Sequence, residues 1–237
     1  MNSYFPPSTS LPWLGGPWPG MDTLERYMRN RKHSPDELKR HGWWDHAPFD
    51  YAFNAHGFRS HEFDPRDQGI MYLGCSVTLG EALPVELTWP RLVSEALGRP
   101  CWNLGQSGAA ADTCFRLALH WIPRLEPTAV VLLEPPPDRL ELIDPNGIPR
   151  LYSHQGFSPG AREWLAHPEN GRLSGLKNVG ALRDICHARS MPFHTWAFNH
   201  LYRLRSSLQS LARDLAHPGK TAHAAFAQTV LAAMARP

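Results

Sequence analysis

The stretch "TAVVLLEP", residues 128 to 135, is an unbroken apolar run of strand length with no polar alternation. A strand that keeps no polar face is buried on both sides, as in a parallel sheet covered by helices. Two shorter runs precede it, "GIMYLGCSV" (69–77) and "PCWNLGQSG" (100–108), and "MPFHTWAF" (191–198) follows it. Helical spacing separates them. "LTWPRLVSEALG" repeats apolar residues at Leu87, Leu92, Val93, Ala96 and Leu97 before Gly98, and "AADTCFRLALHWIPRL" does so at Phe115, Leu117, Ala118 and Trp121. Strand, helix, strand, helix, strand is the signature of right-handed parallel crossovers. The expectation is a three-layer α/β/α sandwich around a doubly wound, mainly parallel sheet of about five strands.

The flanks are less regular. "MDTLERYMRNRK" predicts a short helix with Asp22 or Thr23 as N-cap, and "SPDELKRHG" a second, with Ser34 as cap, Pro35 at its first position and Gly42 at its end. "IDPNGIPRLY" predicts a hairpin turn around Asn146-Gly147. "SGLKNVGALRDICHARS" has weak helical spacing, "HLYRLRSSLQSLARDL" is a mixed polar segment, and "TAHAAFAQTVLAAMA" is an amphipathic helix. Residues 1–65, rich in Pro and Trp at their start, form an N-terminal extension that wraps the domain or covers its site; residues 66–237 form the domain itself.

Bulk properties narrow the function. The net charge is only +2, with no basic stripe, so nucleic acid is not an expected partner. No apolar stretch approaches the length that spans a bilayer, and the start lacks the basic and apolar regions of a secretory signal. Cys75, Cys101, Cys114 and Cys186 form no C-x-x-C pair. A cytoplasmic protein with reduced thiols is the expectation. Among thirteen histidines, His217 and His223, and His194 and His200, are six residues apart and do not share a helical face, so no metal site is expected.

Candidate chemistry gathers at strand ends. Ser76 follows the first strand directly, where open parallel sheets bind their ligands. Taken locally it is either a turn or helix cap or a nucleophile. The turn after the second strand carries Asn103, Gly105, Ser107 and Gly108, where glycine permits close approach and positive φ. Near the far end, Asp214 and His217 stand three residues apart before Pro218-Gly219. A carboxylate so placed can receive one imidazole N–H and leave Nε2 to accept a proton from a serine, which otherwise is a weak nucleophile.

"LGCSVTLG", "NLGQSGAAADT" and "DLAHPG", in that order, resemble three motif blocks of the SGNH (GDSL-type) hydrolase superfamily. "NAHGFRS" (54–60) resembles a lead-in shared with SGNH-like proteins of bacteria and phages. The resemblance implies a flavodoxin-like strand order and a serine esterase. In that enzyme Ser76 is the nucleophile, His217 the base and Asp214 its orienting acid, with Ser76 and Gly108 donating backbone N–H groups to the oxyanion. It implies a small-molecule or carbohydrate ester as substrate, for example an acetyl group on a sugar, and no cofactor. Two departures stand out. Cys75 replaces the usual aspartate of G-D-S, either as a packing residue or as a rival nucleophile. "LLEPPPDRLEL" has Pro135, Pro136 and Pro137 where the family places an oxyanion-binding Asn. Arg139 and Asn103 are the candidates to support oxyanion or substrate in its place. A binding protein that keeps the fold without catalysis, and an acyltransferase using the same triad, are the alternatives.

Overall fold

The apolar runs pair into a parallel sheet in the computed structural model, which describes residues 20–46, 51–147, 149–153 and 159–235. Trp13, Trp18 and the Pro-rich start lie outside the described residues. The sheet strands are β1 (Ile70–Leu73), β2 (Cys101–Asn103), β3 (Ala129–Leu133) and β6 (Phe193–Trp196), in the spatial order β2-β1-β3-β6. Register aligns Ile70 with both Cys101 and Ala129, and Val130 with Phe193, all in parallel. Among the described residues the sheet therefore has four strands rather than about five. Outside the named strands, a single isolated antiparallel bridge joins Leu211 to Pro218. The remaining strands, β4 (Arg139–Ile143) and β5 (Pro149–Ser153), form a separate antiparallel hairpin around the expected Asn146-Gly147 turn.

Side chains alternate across the sheet and so build two cores. Met71, Leu73, Val130 and Leu132 face α5 (Ala111–Leu125) and α7 (Pro168–His187), meeting Leu117, Trp121, Ile122 and Leu182. Ile70, Tyr72, Val131 and Leu133 face α4 (Trp89–Leu97), α8 (Asn199–Ser207) and α9 (Lys220–Met234), meeting Trp89, Val93, Leu201, Phe226 and Val230. All five residues of β3 are buried, as its unbroken apolar run requires. Each fully buried side chain of this size contributes about 1.5–3 kcal/mol, so the two cores dominate the sheet's stability. Cys75 packs in the second core, fully buried among Tyr72 and Val77, which makes it a packing residue.

Two helices exceed what the pattern indicated. Helix α7 begins at Pro168, upstream of the weak spacing that starts at Ser174. The mixed polar segment contains α8, in which Leu201 alone is buried, too narrow a face for periodicity to register. A short helix, α6 (Pro159–Leu165), leads into α7.

The first helices, α1 (Leu24–His33) and α2 (Pro35–Arg40), lie close to their expected bounds, and the Thr23 hydroxyl caps α1 by accepting from the Arg26 N–H at 3.1 Å. They build a third, smaller core: Tyr27, Leu38 and Trp43 pack on Ala82, Leu83 and Ala212. Those partners flank the two segments that carry the candidate chemistry.

Candidate active site

Ser76 opens α3 (Ser76–Leu79), a single helical turn at the carboxyl end of β1. The first N–H groups of a helix have no intrahelical acceptor, so the Ser76 backbone donor is held at a sheet edge where a ligand can meet it. The turn after β2 packs against this helix at close range: a Cβ at Gly105 would lie 2.5 Å from the Leu79 nitrogen. Gly108, with φ +77°, bends the same turn back toward Ser76.

The acid–base turn approaches from the other side. His217 Nε2 lies 3.0 Å from Ser76 Oγ, and His217 Nδ1 lies 2.6 Å from Asp214 Oδ2. Because a carboxylate only accepts, Nδ1 carries the proton and Nε2 is the acceptor for the serine hydroxyl. The other carboxylate oxygen, Oδ1, accepts the backbone N–H groups of Ala216 and His217, each at 3.0 Å. Asp214 thus both caps the turn and orients the ring. Leu215 between them holds φ +58°, a strained conformation for a non-glycine residue that the surrounding bonds enforce. Ser76, His217 and Asp214 are 4%, 6% and 1% exposed.

Burial and charge set the protonation of this relay. Burial alone would push the Asp214 carboxyl up, but the hydrogen bonds and charge from His217 outweigh it and hold the group below the usual carboxylate range. Burial would likewise lower His217, yet the hydrogen bond and charge of Asp214, with the charge of Glu81, raise it above its ordinary value; Arg139 opposes them.

Arg139, at the start of β4, lines the cleft in front of Ser76 together with Gly108, Glu81 and Tyr152, and its Nη1 donates to the Ala109 carbonyl at 3.3 Å. The hairpin that carries it is fastened by a buried ion pair, Arg116 Nε to Glu141 Oε1 at 2.6 Å. The same arginine lines a neighbouring cleft of about 280 Å³ walled by Pro135, Pro136 and Pro137. Asn103 is placed differently. Its amide donates to the Thr78 carbonyl at 2.8 Å and accepts from the Gly105 N–H at 2.9 Å. It does not line the cleft with Ser76, and its role is to tie the β2 turn to α3.

Three features were missed at the level of sequence. Glu81, 1% exposed, accepts from the Ser107 hydroxyl at 2.9 Å and from the Met21 backbone N–H, and its Oε2 lies 4.0 Å from His217 Nε2. Asp22 pairs with Arg213, next to the acid–base turn, at 2.8 Å. Arg26 and Asn30 of α1 both donate to the Asp214 carbonyl, at 3.0 and 3.2 Å. The available signal was a carboxylate directly after the "SVTLG" turn; the partners from residues 21–30 are too distant in sequence to be inferred.

Among the described residues, Glu81, Asp214 and His217 are a group whose donor atoms lie within 4.8 Å of one another. Within that group Asp214 Oδ2 and His217 Nδ1 are hydrogen-bonded to each other, and His217 Nε2 faces Ser76 Oγ. Among the described residues no helix is long and apolar enough to cross a membrane.

No family model matches the chain. No curated protein matches it either. Among solved structures it is similar to a protein described as lipolytic, of the G-D-S-L family, from Desulfitobacterium hafniense, at 10% identity and a TM-score of 0.46 over 70% of this chain and 98% of that one. It is similar to the psychrotrophic esterase EstA from a Pseudoalteromonas species, a structure inhibited by monoethylphosphonate, at 13% identity and a TM-score of 0.41 over 71% and 97% of the two chains. A lipolytic G-D-S-L protein from Veillonella parvula is similar at 14% identity and a TM-score of 0.40, over 71% and 99%. Two of these three proteins are described by the G-D-S-L motif and the third as an esterase.

Proposed function

We propose that the chain is a serine esterase of the SGNH type that cleaves a carboxylic ester through an acyl-enzyme. The observation that carries this reading is the continuous relay from Ser76 Oγ to His217 Nε2 at 3.0 Å and from Nδ1 to Asp214 at 2.6 Å. Serine needs an adjacent base, and the base needs a group that fixes its tautomer; both are within hydrogen-bond reach.

In the proposed cycle, His217 Nε2 takes the hydroxyl proton as Ser76 Oγ bonds to the acyl carbon. The carbonyl π pair moves to oxygen, and the backbone N–H groups of Ser76 and Gly108 receive the resulting charge. The imidazolium then gives its proton to the leaving alcohol as the carbon–oxygen bond breaks. Water, activated by His217, reverses the sequence on the acyl-enzyme. Losing one oxyanion donor costs ~10²–10³ in rate, which is the expected penalty for having prolines where an Asn side chain would stand, unless Arg139 substitutes. The absence of that Asn is also the observation that favours a binding protein without catalysis.

The cleft in front of Ser76 is about 220 Å³. Glu81, Ser107 and Arg139 on its walls suit a small acyl group on a hydroxyl-rich alcohol, such as an acetylated sugar. The test is hydrolysis of p-nitrophenyl acetate against the butyrate and octanoate esters. The acetate is expected to be cleaved fastest, and Ser76→Ala to abolish cleavage of all three. A preference for octanoate would sink the small-acyl assignment, and equal rates for native and Ser76→Ala would sink the esterase.

A further inference from the structure

A hydrolytic triad requires one carboxylate, and this site buries two. Asp214 serves Nδ1, the edge of the ring away from the serine. Glu81 stands on the opposite edge, with Oε2 4.0 Å from Nε2. We propose that Glu81 acts through His217 as a second carboxylate, stabilising the imidazolium that forms when Nε2 takes the Ser76 proton, and that it also holds Ser107 beside the oxyanion site. This rests on the esterase reading above and extends it.

The placement is built rather than incidental. Glu81 follows the nucleophile helix directly, and its N–H donates to the Ser76 carbonyl at 3.0 Å. The next residue, Ala82, is held at φ +64°. Its N–H donates to Tyr51 Oη at 2.8 Å, and its carbonyl accepts from the Arg213 N–H at 3.2 Å. Tyr51 donates in turn to Asp22 Oδ2 at 2.9 Å, and Asp22 pairs with the Arg213 guanidinium. One network therefore fixes both the Glu81 backbone and the acid–base turn. The Glu81 carboxylate accepts from Met21 and from Ser107, and neither donor is a cation. The Glu81 carboxylate acts electrostatically on the buried Arg59 guanidinium and on His217, and of these two His217 is the group that becomes charged in the proposed cycle.

Among the described residues, the charged and titratable groups facing His217 are few. Asp214 lies on its own turn, Glu81 after α3, Arg139 on β4 and His223 on α9. Asp214 and Glu81 favour the imidazolium and Arg139 disfavours it. His223 accepts the Trp89 N–H at 3.1 Å, and burial keeps it neutral. Removing the Glu81 charge leaves Asp214 and Arg139 in partial opposition, so proton uptake by His217 weakens.

The experiment is the pH dependence of Ser76 labelling by a small fluorophosphonate, with the full chain as native protein, Glu81→Gln, Glu81→Asp and Ser107→Ala. Glutamine keeps an acceptor oxygen for Met21 and Ser107 but carries no charge. The expectation for Glu81→Gln is a midpoint about one pH unit below native, with a plateau rate about tenfold lower. Glu81→Asp should fall between the two, and Ser107→Ala should keep the native midpoint although it labels more slowly. A Glu81→Gln midpoint equal to or above native overturns the proposal, as does a downward shift of the same size in Ser107→Ala. Should Glu81→Gln fail to fold, judged by its melting temperature, an unmoved midpoint in Glu81→Asp overturns it instead. A native protein that never labels overturns the esterase reading and this proposal together, whereas labelling with an unmoved midpoint overturns only the role of Glu81.

Discussion

Two buried histidines in contact with the same layer of the molecule are driven in opposite directions. Burial sets the direction for His223, which is lowered to about 3, while Asp214 and Glu81 overcome burial at His217 and raise it. The signs follow from linkage. A histidine raised above its unfolded value near 6.5 contributes stability that is complete below that value and lost as pH rises through the folded one. A histidine lowered to about 3 is neutral in the fold while the unfolded chain takes up a proton, so it costs stability as pH falls from about 6.5 to about 3. Asp214, held below its ordinary value, contributes stability above that value that is lost at still lower pH. His223→Gln, whose side-chain oxygen can accept the Trp89 N–H, should flatten the fall in urea midpoint between pH 6.5 and pH 3. An unchanged slope would show that this imidazole is not buried neutral. Under the proposed esterase reading His217 acts as the base only when neutral, so the acid limb of Ser76 reactivity should lie above pH 6.5.

Helix α1 is hydrogen-bonded directly to the turn that carries Asp214 and His217, and it belongs to a segment expected to wrap the domain or cover its site. Its Arg26 and Asn30 hold the Asp214 carbonyl, and Asp22 just before it neutralises the buried Arg213. Burial pushes the Asp22 carboxyl up, against the pull of Arg213 and Tyr51. A buried pair of this kind is costly to form and more costly to break from one side, by about 3–5 kcal/mol. Asp22→Ala should therefore lower the melting temperature and disorder the turn at Leu215. Asp22→Asn, which keeps the shape and one acceptor, should lose less stability yet slow Ser76 labelling. Labelling at the native rate in a folded Asp22→Ala protein would show that α1 does not position the relay. The hairpin of β4 and β5 plays the matching part on the other wall, where the Arg116–Glu141 pair fixes the strand that presents Arg139.

At the scale of the whole molecule, the sheet was legible because its signal is local: an apolar run that cannot tolerate water on either face, followed by helical spacing, leaves a covered parallel sheet as the economical solution. The contacts of His217 with Ser76 and Asp214 were legible for a related reason. Ser76 stands where a strand ends, and Asp214 and His217 sit within one turn of each other, so a short motif already encodes their geometry. The second carboxylate and the α1 latch were not legible. Glu81 acquires its meaning only from Met21, Ser107 and His217, which lie 60, 26 and 136 positions away or are brought together by the fold alone. The strand number was less legible: about five were expected, and the sheet among the described residues has four. An activated Ser76 is the premise of the proposed function, and intact-mass labelling with a fluorophosphonate tests it most directly, on native protein, Ser76→Ala and His217→Ala. A single adduct is expected on the native protein, absent from Ser76→Ala and from His217→Ala. No adduct on the native protein at neutral to alkaline pH, or an adduct that persists in Ser76→Ala, would contradict it.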